Sequence, residues 1–126
     1  MQLSSSDCAA LTSLSRQIYE NNVEAGWFTN PFSGAPVDPD PLQKLMLIVT
    51  ELAECAEGIR KDLMDDHLPN REMEEVEMAD VLIRVFEFCG WRGYDIGTTL
   101  LEKHNYNQQR ADHKLSNRAQ PGGKSC

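Results

Sequence analysis

No stretch of this chain approaches the roughly 20 apolar residues that a membrane-crossing helix needs, and none alternates polar and apolar residues as a half-buried strand does. The first twenty residues, MQLSSSDCAALTSLSRQIYE, lack a basic start and an unbroken apolar core, so no secretory leader is expected. Cysteine is sparse: Cys8, Cys55, Cys89 and Cys126 show neither a CxxC pair nor a zinc spacing. Cys55 and Cys89 sit in apolar runs and read as small buried thiols in a reducing, cytoplasmic setting. Basic residues are outnumbered 12 to 20, and the net charge of −8 argues against a nucleic-acid backbone as partner. Neither GxxxxGK[ST] nor GxGxxG occurs, so any nucleotide must be held without a glycine-rich phosphate loop. No histidine follows a glutamate by three, as a ferritin-like di-iron site requires. The loop from Asp62 to Asn70 lacks the glycine and final glutamate of an EF-hand. Cysteine, serine and histidine offer no nucleophile arrangement; His67, His104 and His113 read as loop or surface residues.

What is present is one domain's worth of helix. The 126 residues suffice for a modest core without disulfides. Periodicity predicts a first helix from about Ser6 to Val23, striped by Leu11, Leu14 and Ile18. A connection rich in glycine and proline, Ala25 to Asp40, follows; its length marks it as a place for function. Asp40 as cap, Pro41 in the first turn and Gln43 as capping-box partner open a second helix. Its apolar stripe is Leu45, Ile48, Leu52, Ala56, Ile59 and Leu63, all within about 40° of Leu52 on the helical wheel. Glu51 and Glu54 lie beside that stripe, with Lys44, Leu47 and Gly58 on the same flank. Gly58 leaves room for a close approach. Asn70 is the expected cap of a third helix, apolar on nearly every side from Ala79 to Cys89 and ended by Gly90. A fourth helix is expected from Asp95 to about Asp112. Residues 1–116 form the expected domain, and 117–126 an irregular tail. The fold class is all-α.

The chemistry is carried by two acid pairs, Glu51-Leu-Ala-Glu54 and Glu77-Met-Ala-Asp80, each at a spacing that puts both carboxylates on one helix face. Singly, such pairs are usually solvated, and their repulsion is only about 0.2–0.5 kcal/mol. Two pairs converging are another matter: carboxylates about 4 Å apart repel by roughly 4 kcal/mol at an effective dielectric of 20. Four converging acids call for a divalent cation, and magnesium suits an all-oxygen set. The competing reading pairs Asp80 with Arg84 at i, i+4, with Glu77 and Glu87 as outer partners. Both can hold, because an arginine beside a metal can touch phosphate. Charge is also divided along the chain, with 13 acids and 4 bases in 38–80 against 4 acids and 7 bases in 81–126. Within the basic part Lys103, Asn107 and Arg110 share one helix side next to Tyr106, either as a solvated face or as a polyphosphate contact.

ExxE followed after 22 residues by ExxD, on consecutive helices of a small all-α chain, resembles the MazG-like nucleoside triphosphate pyrophosphohydrolases of the all-α NTP pyrophosphatase superfamily. The segments carrying the likeness are GWF at 26–28, KLMLIVTELAECAEGIR at 44–60, DDHLPN at 65–70, EVEMADVLIR at 75–84 and KHNYNQQRADHK at 103–114. The resemblance implies a four-helix bundle assembling as a homodimer or a dimer of dimers. It implies Mg²⁺, replaceable by Mn²⁺, on Glu51, Glu54, Glu77 and Asp80. It implies phosphate contacts from Lys103, Asn107 and Arg110, with Arg84 nearby, and a base pocket near Asn22 and Trp27. Thr50 departs from the family's frequent EExxE, which bears on metal count or base identity. The implied reaction is metal-activated attack of water on the α-phosphorus of a (d)NTP, a guanine nucleotide being the first candidate, giving (d)NMP and pyrophosphate. A nucleotide-binding regulator without turnover, or a helical interaction module, is the alternative.

Overall fold

The computed structural model describes residues 2–125, so Cys126 lies outside the described residues. It is all-helical: α1 (Ser5–Glu24), α2 (Pro41–Lys61), α3 (Met73–Trp91), α4 (Ile96–Gln109) and the short α5 (Leu115–Arg118), with one 3₁₀ turn at Ala111–His113. Among the described residues, extended pairing is limited to two isolated bridges, Thr29 with Pro36 and Met64 with Glu72. No described helix is long and apolar enough to cross a membrane. The chain divides into two compact units, one of residues 14–94 and one of residues 1–13 with 95–126.

In the 14–94 unit, α2 begins as its sequence dictates: the Asp40 carboxylate accepts from the Leu42 amide at 2.8 Å, and Pro41 fills the first turn, where its missing N–H costs nothing. It ends at Asp62, whose left-handed backbone (φ 53°) turns the chain and lets its amide reach the Ile59 carbonyl. The face α2 packs on α3 is not its apolar stripe. Glu51, Cys55 and Gly58 are buried, while Leu45, Leu52, Ile59 and Leu63 stay exposed. A β-carbon added to Gly58 would sit 3.0 Å from Met73 Cβ and 3.1 Å from the Glu74 amide nitrogen, so this glycine lets the start of α3 close onto α2.

Asn70 does not cap α3. The cap position is Glu72, without a side-chain hydrogen bond, because the connection itself satisfies the first turn: the Met73 amide donates to the Leu63 carbonyl at 2.9 Å. Nor does Gly90 end the helix, which continues to Trp91. A β-carbon at Gly90 would lie 2.4 Å from the Ser15 carbonyl oxygen and 2.6 Å from Tyr19 Cβ, so this glycine serves the crossing of α1 over α3. Phe28, Tyr19 and Trp91 pack around that crossing, with Tyr19 and Phe28 edge to face at 5.1 Å.

In the other unit, Asp95 caps α4 through the Thr98 amide and accepts from the Thr12 hydroxyl at 2.8 Å; the same hydroxyl accepts from the Gly97 amide. The helix stops at Gln109, short of the expected Asp112, because Arg110 turns extended and the Ala111 carbonyl is taken by the Asn117 side chain. The expected irregular tail is partly ordered: α5 crosses its start, and the Arg118 guanidinium holds the Lys124 and Ser125 carbonyls.

Candidate functional site

Three of the four acids meet across α2 and α3. Glu51, Glu77 and Asp80 each offer a carboxylate oxygen, all within 4.8 Å of one another; Glu51 and Glu77 are buried and Asp80 half-buried. Burial first, then the neighbouring charges of Glu54, Asp80, Glu51 and Asp65, push the Glu77 carboxyl up to about 7. Asp80 is raised by burial and by Glu51, with Arg84 acting in the opposite direction. Glu54 is exposed and outside the oxygen trio, yet near enough to Glu77 for its charge to be felt there. Thr50, the residue before Glu51, is exposed and turns its hydroxyl back to the Leu47 carbonyl at 2.7 Å.

Arg84 does not take up the intrahelical pairing. Its Nε donates to the Glu51 carboxylate on α2, tying the two acid-bearing helices together. Sequence reasoning passed over two further acids. Asp65 is buried in the α2–α3 connection, where one carboxylate oxygen accepts the His67 and Leu68 amides at 2.9 and 2.6 Å, and its charge reaches both Glu77 and Asp80. Its signal was the Asp65-Asp66-His67 turn, where aspartate accepts from amides two and three residues on. Glu87 is buried at 7% exposure: one oxygen accepts from Lys44 Nζ and the other from Asn22 Nδ2, both at 2.5 Å. Lys44 in turn lies over the Phe28 ring, 4.4 Å from its centroid. No local spacing announces pairs 43 and 65 residues apart.

One cavity of about 480 Å³ is lined by Asn22, Trp27, Lys44, Glu51, Asp80, Arg84 and Glu87 with Leu47 and Ile83. Trp27 is 74% exposed, whereas its neighbour Phe28 is buried. Of the dipeptide, phenylalanine supplies the packing and tryptophan is left for solvent or ligand. The wall is thus acidic at Glu51 and Asp80 and aromatic at Trp27, with the Lys44–Glu87–Asn22 set also on its lining. Such a mixture suits a cation, a polar anion and a flat ring.

Lys103, Asn107 and Arg110 belong to the other unit, where α4 carries them. Lys103 Nζ lies 4.8 Å from the Tyr106 ring centroid, and the Asn107 side-chain oxygen is enclosed with no hydrogen-bond partner among the described residues. The Arg110 guanidinium grips Asp112 at 2.9 and 2.7 Å, and Lys124 joins the same carboxylate at 2.9 Å, which holds Asp112 well below the usual carboxylate range. Cys8, Cys55 and Cys89 are buried free thiols, and burial pushes the Cys89 thiol up. Compared with protein families, curated proteins and solved structures, the chain matches none.

Proposed function

We propose that this protein is a MazG-like nucleoside triphosphate pyrophosphohydrolase, splitting the α–β phosphoanhydride of a (d)NTP with water to give (d)NMP and pyrophosphate. One observation carries the reading: the Glu51, Glu77 and Asp80 oxygens gather within 4.8 Å of one another, and Glu51 and Asp80 of this trio line a nucleotide-sized cavity. The donor set fits Mg²⁺, or Mn²⁺ in its place, because it is all carboxylate oxygen and because burial, with repulsion among the acids added to it, lifts Glu77 to about 7. Bound there, such a cation would neutralise phosphate charge and make a water acidic enough to serve as nucleophile near neutral pH.

The protein's own groups supply the rest. Glu51, Glu77 and Asp80 hold the cation; Arg84, anchored on Glu51, turns its remaining N–H groups to phosphate oxygens. Glu54, beside the trio but outside it, takes the proton from the attacking water. Trp27 offers its exposed indole face to the base. No covalent intermediate is needed, since water enters at the α-phosphorus as pyrophosphate leaves. Two or four copies would assemble through the uncovered apolar face of α2 and α3, where Leu52, Ile59, Met78 and Leu82 are exposed.

The test is incubation with Mg²⁺ and a panel of ribo- and deoxynucleoside triphosphates, with products resolved by ³¹P NMR. Monophosphate and pyrophosphate in equal amounts are expected. Orthophosphate alone, or no turnover of any nucleotide, overturns the proposal; tight binding without product makes the protein a nucleotide-binding regulator instead.

A further inference from the structure

The Lys44–Glu87–Asn22 set has a geometry that the hydrolytic chemistry does not use. Glu87 is on α3, Lys44 on α2 and Asn22 near the end of α1, so three helices converge on one buried carboxylate. Neither carboxylate oxygen is idle: Oε1 accepts from Lys44 and Oε2 from Asn22. A carboxylate has no hydrogen to give, so the Asn22 side chain must turn its NH₂ toward it. Rotating the amide by half a turn would set its carbonyl oxygen against a negative oxygen. The amide is therefore held one way round. Its oxygen has no hydrogen-bond donor among the described residues, and Asn22 lines the same cavity as Trp27.

We infer that Glu87 is a positioning residue that locks the Asn22 carboxamide with its oxygen available to the ligand, making the cavity selective for bases that carry an amino group. The inference rests on the reading of the cavity as a nucleotide site. With the ring against Trp27, an exocyclic amine donates to Asn22 Oδ1, whereas an oxo group at the same place sets acceptor against acceptor. Lys44 serves this arrangement rather than the phosphates: it balances the Glu87 charge and is steadied by the Phe28 face. A glutamine at 87 could donate as well as accept, which would free Asn22 to turn over.

The experiment reads binding, so that it does not depend on turnover. Titration calorimetry compares dCMP with dUMP, and dGMP with dIMP, each pair differing in the amino group, on the intact protein with Mg²⁺. The wild type is expected to prefer the amino member of at least one pair by about tenfold. Glu87→Gln should bring that ratio to within about threefold or invert it, and Asn22→Ala should abolish it while removing nothing from Glu87's bond to Lys44. A purely structural role for Glu87 would weaken both members of a pair alike and leave the ratio intact. Equal binding of both pairs by the wild type, or an unchanged ratio in both variants, overturns the inference. Selectivity without hydrolysis of any triphosphate would overturn the proposed reaction and leave this inference standing; hydrolysis without selectivity would do the reverse.

Discussion

Each acid at the site has a distinguishable environment, and the differences predict different kinetic consequences. Glu77 is buried among like charges and is a proposed cation ligand, so in Glu77→Gln Mg²⁺ should bind at least about tenfold more weakly, and the rise in melting temperature on adding Mg²⁺ should shrink. Glu54 is exposed beside the trio, so Glu54→Gln should lower kcat by about 10²- to 10⁴-fold with Mg²⁺ affinity little changed. Equal losses of metal affinity in the two variants would instead make Glu54 a ligand. Glu77 also predicts a pH dependence of the metal-free protein. Its folded carboxyl is raised from 4.5 to about 7, so the folded chain binds a proton the unfolded chain has released. Stability from this group is full below about 4.5 and is lost as pH climbs through about 7. Melting temperatures in chelator should fall across that window. Saturating Mg²⁺ should flatten the fall, because the cation replaces the proton among Glu51, Glu54, Asp65 and Asp80.

At the level of elements, the pairing of α2 with α3 depends on a face that hydrophobic periodicity does not pick out. The apolar stripe centred on Leu52 is real, but the contact runs along Lys44, Ile48, Glu51, Cys55 and Gly58, about 80° around the helix. Gly58→Ala tests this. The substitution gains up to about 1 kcal/mol of helix propensity, but its β-carbon meets Met73 Cβ at 3.0 Å and a backbone nitrogen at 3.1 Å. Overpacking costs about 1–3 kcal/mol, and the backbone cannot step aside, so a net loss of about 1 kcal/mol is expected in urea denaturation. The starts of α2 and α4 were legible because Asp40-Pro41 and Asp95 act through their own side chains and nearest amides, whereas that of α3 was not, its first amide being held by the distant Leu63 carbonyl. Convergence of Glu51 with Glu77 and Asp80 was legible from charge that needed company. The roles of Glu87 and Gly90 were not, since both are set by partners far along the chain: Glu87 looked like one more rung of an intrahelical ladder, and Gly90 like a helix stop.

For the molecule as a whole, the unusual quantity is the apolar surface left uncovered. Leu45, Met46, Val49, Leu52 and Ile59 on α2, Leu63 just beyond its end, and Met78 and Leu82 on α3 are all well exposed, and the buried hydrophobic set among the described residues is small: Cys8, Phe28, Cys55, Val81 and Cys89. A chain that buries acids and exposes leucines would gain stability by covering that face, and self-association is the proposed way. Sedimentation equilibrium is expected to give a dimer or tetramer. Leu52→Glu should weaken association at least about tenfold and lower the melting temperature with it. A wild-type monomer at micromolar concentration would refute the assembly without touching the acid trio.

The exposure of Trp27 has a practical consequence. The chain holds two indoles, and the second, Trp91, is half-buried with its ring 5.7 Å from that of Phe88. Their emission should differ in colour, red-shifted for the wet ring and blue-shifted for the packed one. A purine or pyrimidine seated in the cavity would quench the red component and spare the blue, so the unlabelled protein reports its own occupancy.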